Sequence, residues 1–138
     1  YTPHEMEWQR LSGIKIADQT PERNRAARDQ LDATVVLKKH HTEIYAADQT
    51  YQLTIGTPAQ AVGGMGDTLA GMVGGFVAEF HQNPLKAVLA AVYAHSAIAE
   101  NIAKNQYIVL PHQISRALPV FMKKMESAGQ EKHIGFLD

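Results

Sequence analysis

The segment of this chain best equipped for chemistry is Gly63-Gly64-Met65-Gly66-Asp67, which runs into Thr68-Leu69-Ala70-Gly71. Three glycines in four positions let the backbone turn sharply and present successive N–H groups. A helix starting there adds its own unpaired donors and the positive end of its dipole. Such a turn suits an oxyanion, and a phosphoryl group in transfer is the guest it fits best. Asp67 stands at its mouth. In one reading it only favours the helix dipole while the glycines only make a turn; in the other it is a general base that deprotonates a hydroxyl as the amides hold the phosphoryl group under attack. The segment has neither the Gly-Lys-Ser/Thr ending of a Walker A loop nor the spacing of G-x-G-x-x-G.

Seven histidines and no cysteine complete the chemical inventory. The missing cysteines exclude a disulfide scaffold, a zinc-thiolate site and a thiol nucleophile. His4 follows Pro3 and could cap a helix. His40 and His41 would point to opposite faces of a continuing strand, and His95 on an apolar helix reads as a core histidine. No pair has metal-ligand spacing, so no structural metal is expected.

The elements that position these residues are legible from local signals. Residues 4–11 are helix-compatible, with Met6 or Trp8 and Leu11 able to share a face, and Gly13 is placed to end the helix. Thr20-Pro21-Glu22 opens a second helix to about Leu31, whose Arg23, Arg25, Arg28 and Asp29 read as a solvated face. Residues 33–38 form a β-branched run suited to a strand covered on both sides. Residues 41–46 and 51–55 read as two more strands, joined through Ala47-Asp48-Gln49-Thr50 as a hairpin-length turn. Past the glycine loop, Asn83-Pro84 starts a helix to about Lys104 that is apolar most of the way round. A last helix covers about residues 112–125, with Pro119 kinking it or opening a new turn, before a weakly periodic tail. Gly71, Gly74 and Gly75 inside a helix each cost about 1 kcal/mol, which predicts a close backbone approach there.

The 138 residues, with 13 Lys plus Arg against 14 Asp plus Glu, suit one globular domain with a formal charge of -1 and no general attraction to nucleic acid or an anionic membrane. The longest apolar stretches, residues 68–78 and 87–94, fall short of the roughly 20 residues a membrane helix needs. No secretory signal pattern opens the chain. Tyr1-Thr2-Pro3-His4 instead reads as the exit of a strand, which predicts a piece of a longer polypeptide with strands absent upstream.

Several of these segments together resemble the ADP/ATP-dependent NAD(P)H-hydrate dehydratases of the ribokinase-like superfamily. They are Thr2-Pro3-His4 with Glu7, the strand Val35-Val36-Leu37-Lys38 ending near Thr42, the Gly63-Gly64-Met65-Gly66-Asp67 loop, Ala91-Val92-Tyr93-Ala94-His95 and the Leu118-Pro119 helix. Sugar kinases of the superfamily usually read Gly-Ala-Gly-Asp at the catalytic turn, so the version here favours the dehydratase branch. The resemblance implies the C-terminal portion of a single α/β domain of the three-layer α/β/α type. It also implies a lyase that moves a phosphoryl group from ADP or ATP, carried with Mg2+, onto the hydroxyl of hydrated NADH or NADPH and then eliminates phosphate.

By position, the resemblance makes Asp67 the base facing the hydrated ring and places His4 and Glu7 at the hydrated dinucleotide. Gly63, Gly64, Met65 and Gly66, together with Lys38, Lys39, His40, His41 and Thr42, would contact the nucleotide. The family usually has Lys-Gly-Ala-Gly-Thr where this chain has Lys38-Lys39-His40-His41-Thr42, and Asn-Pro-Gly-Met where it has Thr57-Pro58-Ala59-Gln60. A cytoplasmic homo-oligomer completed by the N-terminal half of the domain is implied as well. Two alternatives stand beside this reading: a sugar or hydroxymethylpyrimidine-type kinase that releases the phosphorylated alcohol, and a non-catalytic fragment acting as an assembly module.

Overall fold

A computed structural model of the chain describes residues 1–57, 63–128 and 136–137. It forms two compact units, Tyr1–Thr54 with Phe136–Asp138, and Ile55–Gly135. Pro58, Ala59 and Gln60 of the expected pocket loop, and most of the tail, lie outside the described residues.

The first unit begins with residues 1–3 running parallel to strand β1 (Val35–Leu37). The Val36 N–H donates to the Tyr1 carbonyl and the Lys38 N–H to the Pro3 carbonyl, both at 2.8 Å, while the Tyr1 nitrogen donates to the Thr34 carbonyl at 2.9 Å. This is the strand exit expected from the sequence. Helices α1 (Glu5–Ser12) and α2 (Pro21–Leu31), with a 3-10 turn at Ile16–Asp18, connect the two parallel segments. On its other side β1 pairs antiparallel with β2 (Glu43–Tyr45), β2 with β3 (Thr50–Leu53), and β3 with β4 (Phe136–Leu137). All three residues of β1 are buried, as a strand covered on both faces requires. Strand β4 was not expected: two residues are too few to show alternation.

Helix α1 is closed at both ends by local chemistry. His4 is its N-cap, accepting from the Glu7 N–H at 3.2 Å through Nδ1, while Glu7 Oε1 accepts from the His4 backbone N–H at 3.0 Å. This is a capping box with histidine in the usual Ser/Thr place. Gly13 ends the helix with φ +79°, a conformation that glycine adopts without strain. Of the pairings expected with Leu11, neither makes a buried face: Trp8 alone is buried, and Met6 and Leu11 are 41% and 43% exposed. Trp8 packs with Val35, Leu37 and Tyr45, and its indole Nε1 donates to Asn24 Oδ1 at 2.8 Å.

Helix α2 departs from the solvated face read in the sequence. Asn24 and Arg28 are buried; Arg28 Nε donates to the Ala33 carbonyl at 2.9 Å and its Nη1 to Asp29 Oδ1 at 2.8 Å. Arg25 reaches the β2–β3 turn, donating from Nη2 to the Ala46 and Ala47 carbonyls at 2.6 and 2.9 Å and from Nη1 to Thr50 Oγ1 at 3.2 Å. Guanidinium donors satisfied by backbone carbonyls are thus built into the unit. Only Arg23 is the exposed cation expected.

The second unit is helical: α3 (Met65–Glu79), α4 (Pro84–Ala103) and α5 (Pro111–Ala128). Met65, Met72 and Phe76 of α3 meet Ala91 and Ile98 of α4 and Ile114 of α5 in one core. Helix α4 starts as read, with Asn83 Oδ1 accepting from the Lys86 N–H at 3.2 Å and Pro84 in the first turn, and it is buried most of the way round. Pro119 lies inside α5 rather than opening a new turn. No described helix is long and apolar enough to cross a membrane.

Two predictions follow from the first unit. Trp8→Ala should lower unfolding free energy by about 3–5 kcal/mol and Asn24→Ala by about 1–3 kcal/mol, the latter because it orphans the buried indole N–H; denaturant titration measures both, and a near-neutral Asn24→Ala would contradict the arrangement. The hydrogen bond from the His4 backbone, aided by the positive charges of Lys38 and Arg10, holds the Glu7 carboxyl below the ordinary 4.5. The support that Glu7 lends α1 is therefore complete above that ordinary value and lost as pH falls through the lower folded one. Side-chain NMR titration should read a Glu7 value under 4.5; one at or above it would refute the cap geometry.

Candidate active site

In the second unit the glycine turn leads into α3 as its composition dictates. Gly64 is the N-cap at φ +86° and ψ -12°, the left-handed region that favours glycine, and a Cβ there would stand 3.4 Å from Pro111 Cγ. The first helical bond runs from the Thr68 N–H to the Gly64 carbonyl at 3.1 Å, so the amides of Met65, Gly66 and Asp67 have no partner within the helix. The helix begins two residues before the end of the glycine loop, which puts Gly66 and Asp67 in its first turn. No side chain caps it. Asp67 is exposed and caps none of those donors among the described residues, and Gly63 and Gly64 are exposed as well. Met65 is different: its side chain belongs to the core, so only its backbone is available for binding.

Asp67 lines a groove of about 470 Å³ with Gly71, Gly75 and Phe76 of α3 and Ser115 and Leu118 of α5. The close approach expected at the helical glycines is not made by the described residues: nothing lies within 4 Å of a Cβ built at Gly71, Gly74 or Gly75. Two of those glycines instead form groove wall. A carboxylate beside open amide donors can accept a proton while the amides hold an anion.

In the first unit, the parallel pairing of residues 1–3 with β1 brings His4 and Lys38 together as bridge partners. Both stand at the carboxyl ends of parallel segments, where ligands collect in α/β sheets. His4 Nε2 lies 3.2 Å from Glu7 Oε1, and both side chains are about half exposed. Because Nδ1 accepts from the Glu7 N–H, the imidazole carries its hydrogen on Nε2 in this arrangement.

Residues 39–42 turn the chain from β1 into β2. Thr42 Oγ1 donates to the Lys39 carbonyl at 3.4 Å, and Lys39 Nζ lies 3.6 Å from Glu43 Oε1. The strand does not continue through His40 and His41, so their rings are not on opposite faces; they meet edge to face with centroids 4.4 Å apart. His95 is buried in α4, as expected of a core histidine. Among the described residues no group of three His, Cys, Asp or Glu side chains could hold a metal ion. A magnesium ion carried on nucleotide phosphates needs few protein carboxylates, since substrate oxygens and water complete its shell.

Asn24, Glu43 and Tyr45 escaped the sequence reading. Asn24 Nδ2 donates to the Tyr45 hydroxyl at 3.2 Å, and that hydroxyl donates to Glu43 Oε1 at 2.8 Å. The available signal was an acid two residues before a tyrosine in a short strand, hence on the same face as that tyrosine.

Residues 1–120 match the NAD(P)H-hydrate dehydratase family model. A curated relative from Staphylococcus aureus, the ADP-dependent (S)-NAD(P)H-hydrate dehydratase, is 57% identical over 92% of this chain and 46% of its own length. A crystal structure of a ribokinase-like superfamily protein from Enterococcus faecalis aligns with TM-score 0.86 and 49% identity, covering 89% of this chain and 43% of that one. The Bacillus subtilis ADP/ATP-dependent NAD(P)H-hydrate dehydratase, co-crystallised with ATP/Mg2+, aligns with TM-score 0.82 and 35% identity over 89% of this chain and 46% of that one. The chain thus spans a little under half the length of the relatives it matches. Its fold is part of a ribokinase-like α/β domain, as the resemblance implied, and the chain belongs to the NAD(P)H-hydrate dehydratase family.

Proposed function

We propose that the protein containing this chain restores NADH and NADPH from their hydrates at the expense of ADP or ATP. The observation that carries this reading is the first turn of α3, where the amides of Met65, Gly66 and Asp67 have no partner within the helix and the exposed Asp67 carboxylate stands beside an open groove. Family membership supports it: relatives are named for this reaction.

Asp67 takes the proton from the ring hydroxyl, whose oxygen attacks the terminal phosphorus of the nucleotide. The bond from that phosphorus to the bridging oxygen breaks, and the nucleotide leaves one phosphate shorter. The amides of residues 63–66 neutralise the phosphoryl oxygens during transfer. The carbon–oxygen bond of the new phosphate ester then cleaves, phosphate departs with the electron pair, and loss of a proton from the adjacent ring carbon restores the double bond. Magnesium, when bound with the nucleotide, offsets phosphate charge. His4 and Glu7 hold the hydrated dinucleotide; Lys38, Lys39, His40, His41 and Thr42 contact the nucleotide. Lys38 and Lys39 supply positive charge there, which supports that assignment.

The same proposal includes completion of the domain by further polypeptide, a cytoplasmic location and a homo-oligomeric state. Among the described residues no strand lies beyond residues 1–3, which supports an added strand at that edge. Exposed Tyr107, Ile108 and Leu110 support an apolar contact between copies.

The test is to incubate the full-length protein with ADP or ATP, magnesium and hydrated NADH and to follow recovery of reduced-nicotinamide absorbance. Recovery is expected; its absence alongside phosphorylation of a sugar or pyrimidine alcohol would assign the kinase reaction instead. Asp67→Asn should lower kcat by about 10²- to 10⁴-fold while leaving nucleotide KM within about threefold. Wild-type kcat in that variant would remove Asp67 from the role of base.

A further inference from the structure

Glu43 opens β2 with its carboxylate inside the first unit, where charge is costly unless paired. A directed chain of hydrogen bonds ends on it. The Trp8 indole can only donate, and it gives to Asn24 Oδ1 at 2.8 Å; Asn24 Nδ2 gives to the Tyr45 oxygen at 3.2 Å; Tyr45 gives its hydrogen to Glu43 Oε1 at 2.8 Å. Burial, with the charge of Glu43 adding to it, pushes the Tyr45 hydroxyl well above its usual range, so it remains a donor. Three elements, α1, α2 and β2, therefore converge to place one carboxylate.

The one ion pair that Glu43 makes among the described residues is with Lys39, at 3.6 Å from Nζ to Oε1. Lys39 lies in the turn at residues 39–42 and is partly exposed, whereas Glu43 is not. An ammonium has three donors, so pairing with Glu43 leaves others for a second acceptor. A buried ion pair is weak evidence of stabilisation, because apolar residues of similar volume often serve as well. Its cost is better matched by a positional role.

We propose that Glu43 is a positioning residue for the nucleotide: anchored by the Tyr45–Asn24–Trp8 chain, it holds the Lys39 ammonium in place so that its remaining donors meet the phosphate oxygens. This rests on the reading of residues 38–42 as nucleotide contacts. Ordering a lysine side chain in advance removes a rotamer cost from binding equivalent to about a tenfold change in affinity.

The experiment is steady-state kinetics of the full-length protein with nucleotide and hydrated NADH varied separately. Glu43→Gln keeps an acceptor for Tyr45 and removes the charge. It should raise nucleotide KM about tenfold, leave kcat at saturating nucleotide within about twofold, and leave the KM for hydrated NADH unchanged. In a Lys39→Met background the same substitution should add nothing, because its effect passes through Lys39. A purely structural role would instead move kcat and both KM values, in either background.

If Lys39→Met raises nucleotide KM and Glu43→Gln does not, the positioning role is overturned while the nucleotide reading of the turn stands. If Lys39→Met leaves nucleotide KM unchanged, that reading falls and this inference with it. Should Glu43→Gln fail to fold, Tyr45→Phe, which frees Glu43 without altering its charge, replaces it. A rise in nucleotide KM that vanishes in the Lys39→Met background is then expected, and no rise overturns the proposal.

Discussion

The short parallel ladder between residues 1–3 and β1 is the constraint from which the rest of the first unit follows. Its hydrogen bonds set the register that makes His4 and Lys38 neighbours. Because the helical connection leaves from one segment and returns to the other, α1 must start where the ladder ends. His4 can then close the helix while its backbone pairs with Lys38. Slipping the register by one residue would turn every side chain of the segment to the opposite face and separate the pair. A backbone interaction with no chemistry of its own thus decides which residues stand next to each other.

The anion site proposed in the second unit rests on a different device. No cationic side chain is needed at the start of α3, because the first-turn amides and the helix dipole provide the positive potential. Glycine matters at Gly64, where the backbone turns left-handed to enter the helix. The aspartate two residues into the helix contributes an acceptor without capping those donors. Unlike a lysine, a backbone amide cannot swing away and needs no protonation to donate, which suits a fixed donor facing an anion.

Much of this was legible from local signals. The caps His4, Thr20 and Asn83, the stop at Gly13 and the glycine entry to α3 involve residues within a few positions of one another, so short-range chemistry decides them. Long-range satisfaction of polar groups was not legible. Asn24 and Arg28 look like members of a charged surface because periodicity counts apolar residues, and nothing local shows that an indole N–H and a carbonyl will meet them. The contact between the His40 and His41 rings was hidden for a related reason: where β1 ends depends on the turn into β2, which Thr42 helps close. In the candidate site, the glycine turn and Asp67 could be found from residue types alone, whereas the convergence of Trp8, Asn24 and Tyr45 on Glu43 takes shape only once the strands are assembled.

The pairing of Leu53 with Phe136 has a consequence for how the chain reaches its final form. Every residue of the helical unit lies between these two in sequence, so the sheet gains its last strand only after the intervening helices have emerged from the ribosome. Until then β3 has an uncovered margin and depends on its contact with β2. Closing so long a loop for two residues of pairing costs chain entropy, which makes β4 a late addition held by the prior order of its neighbours.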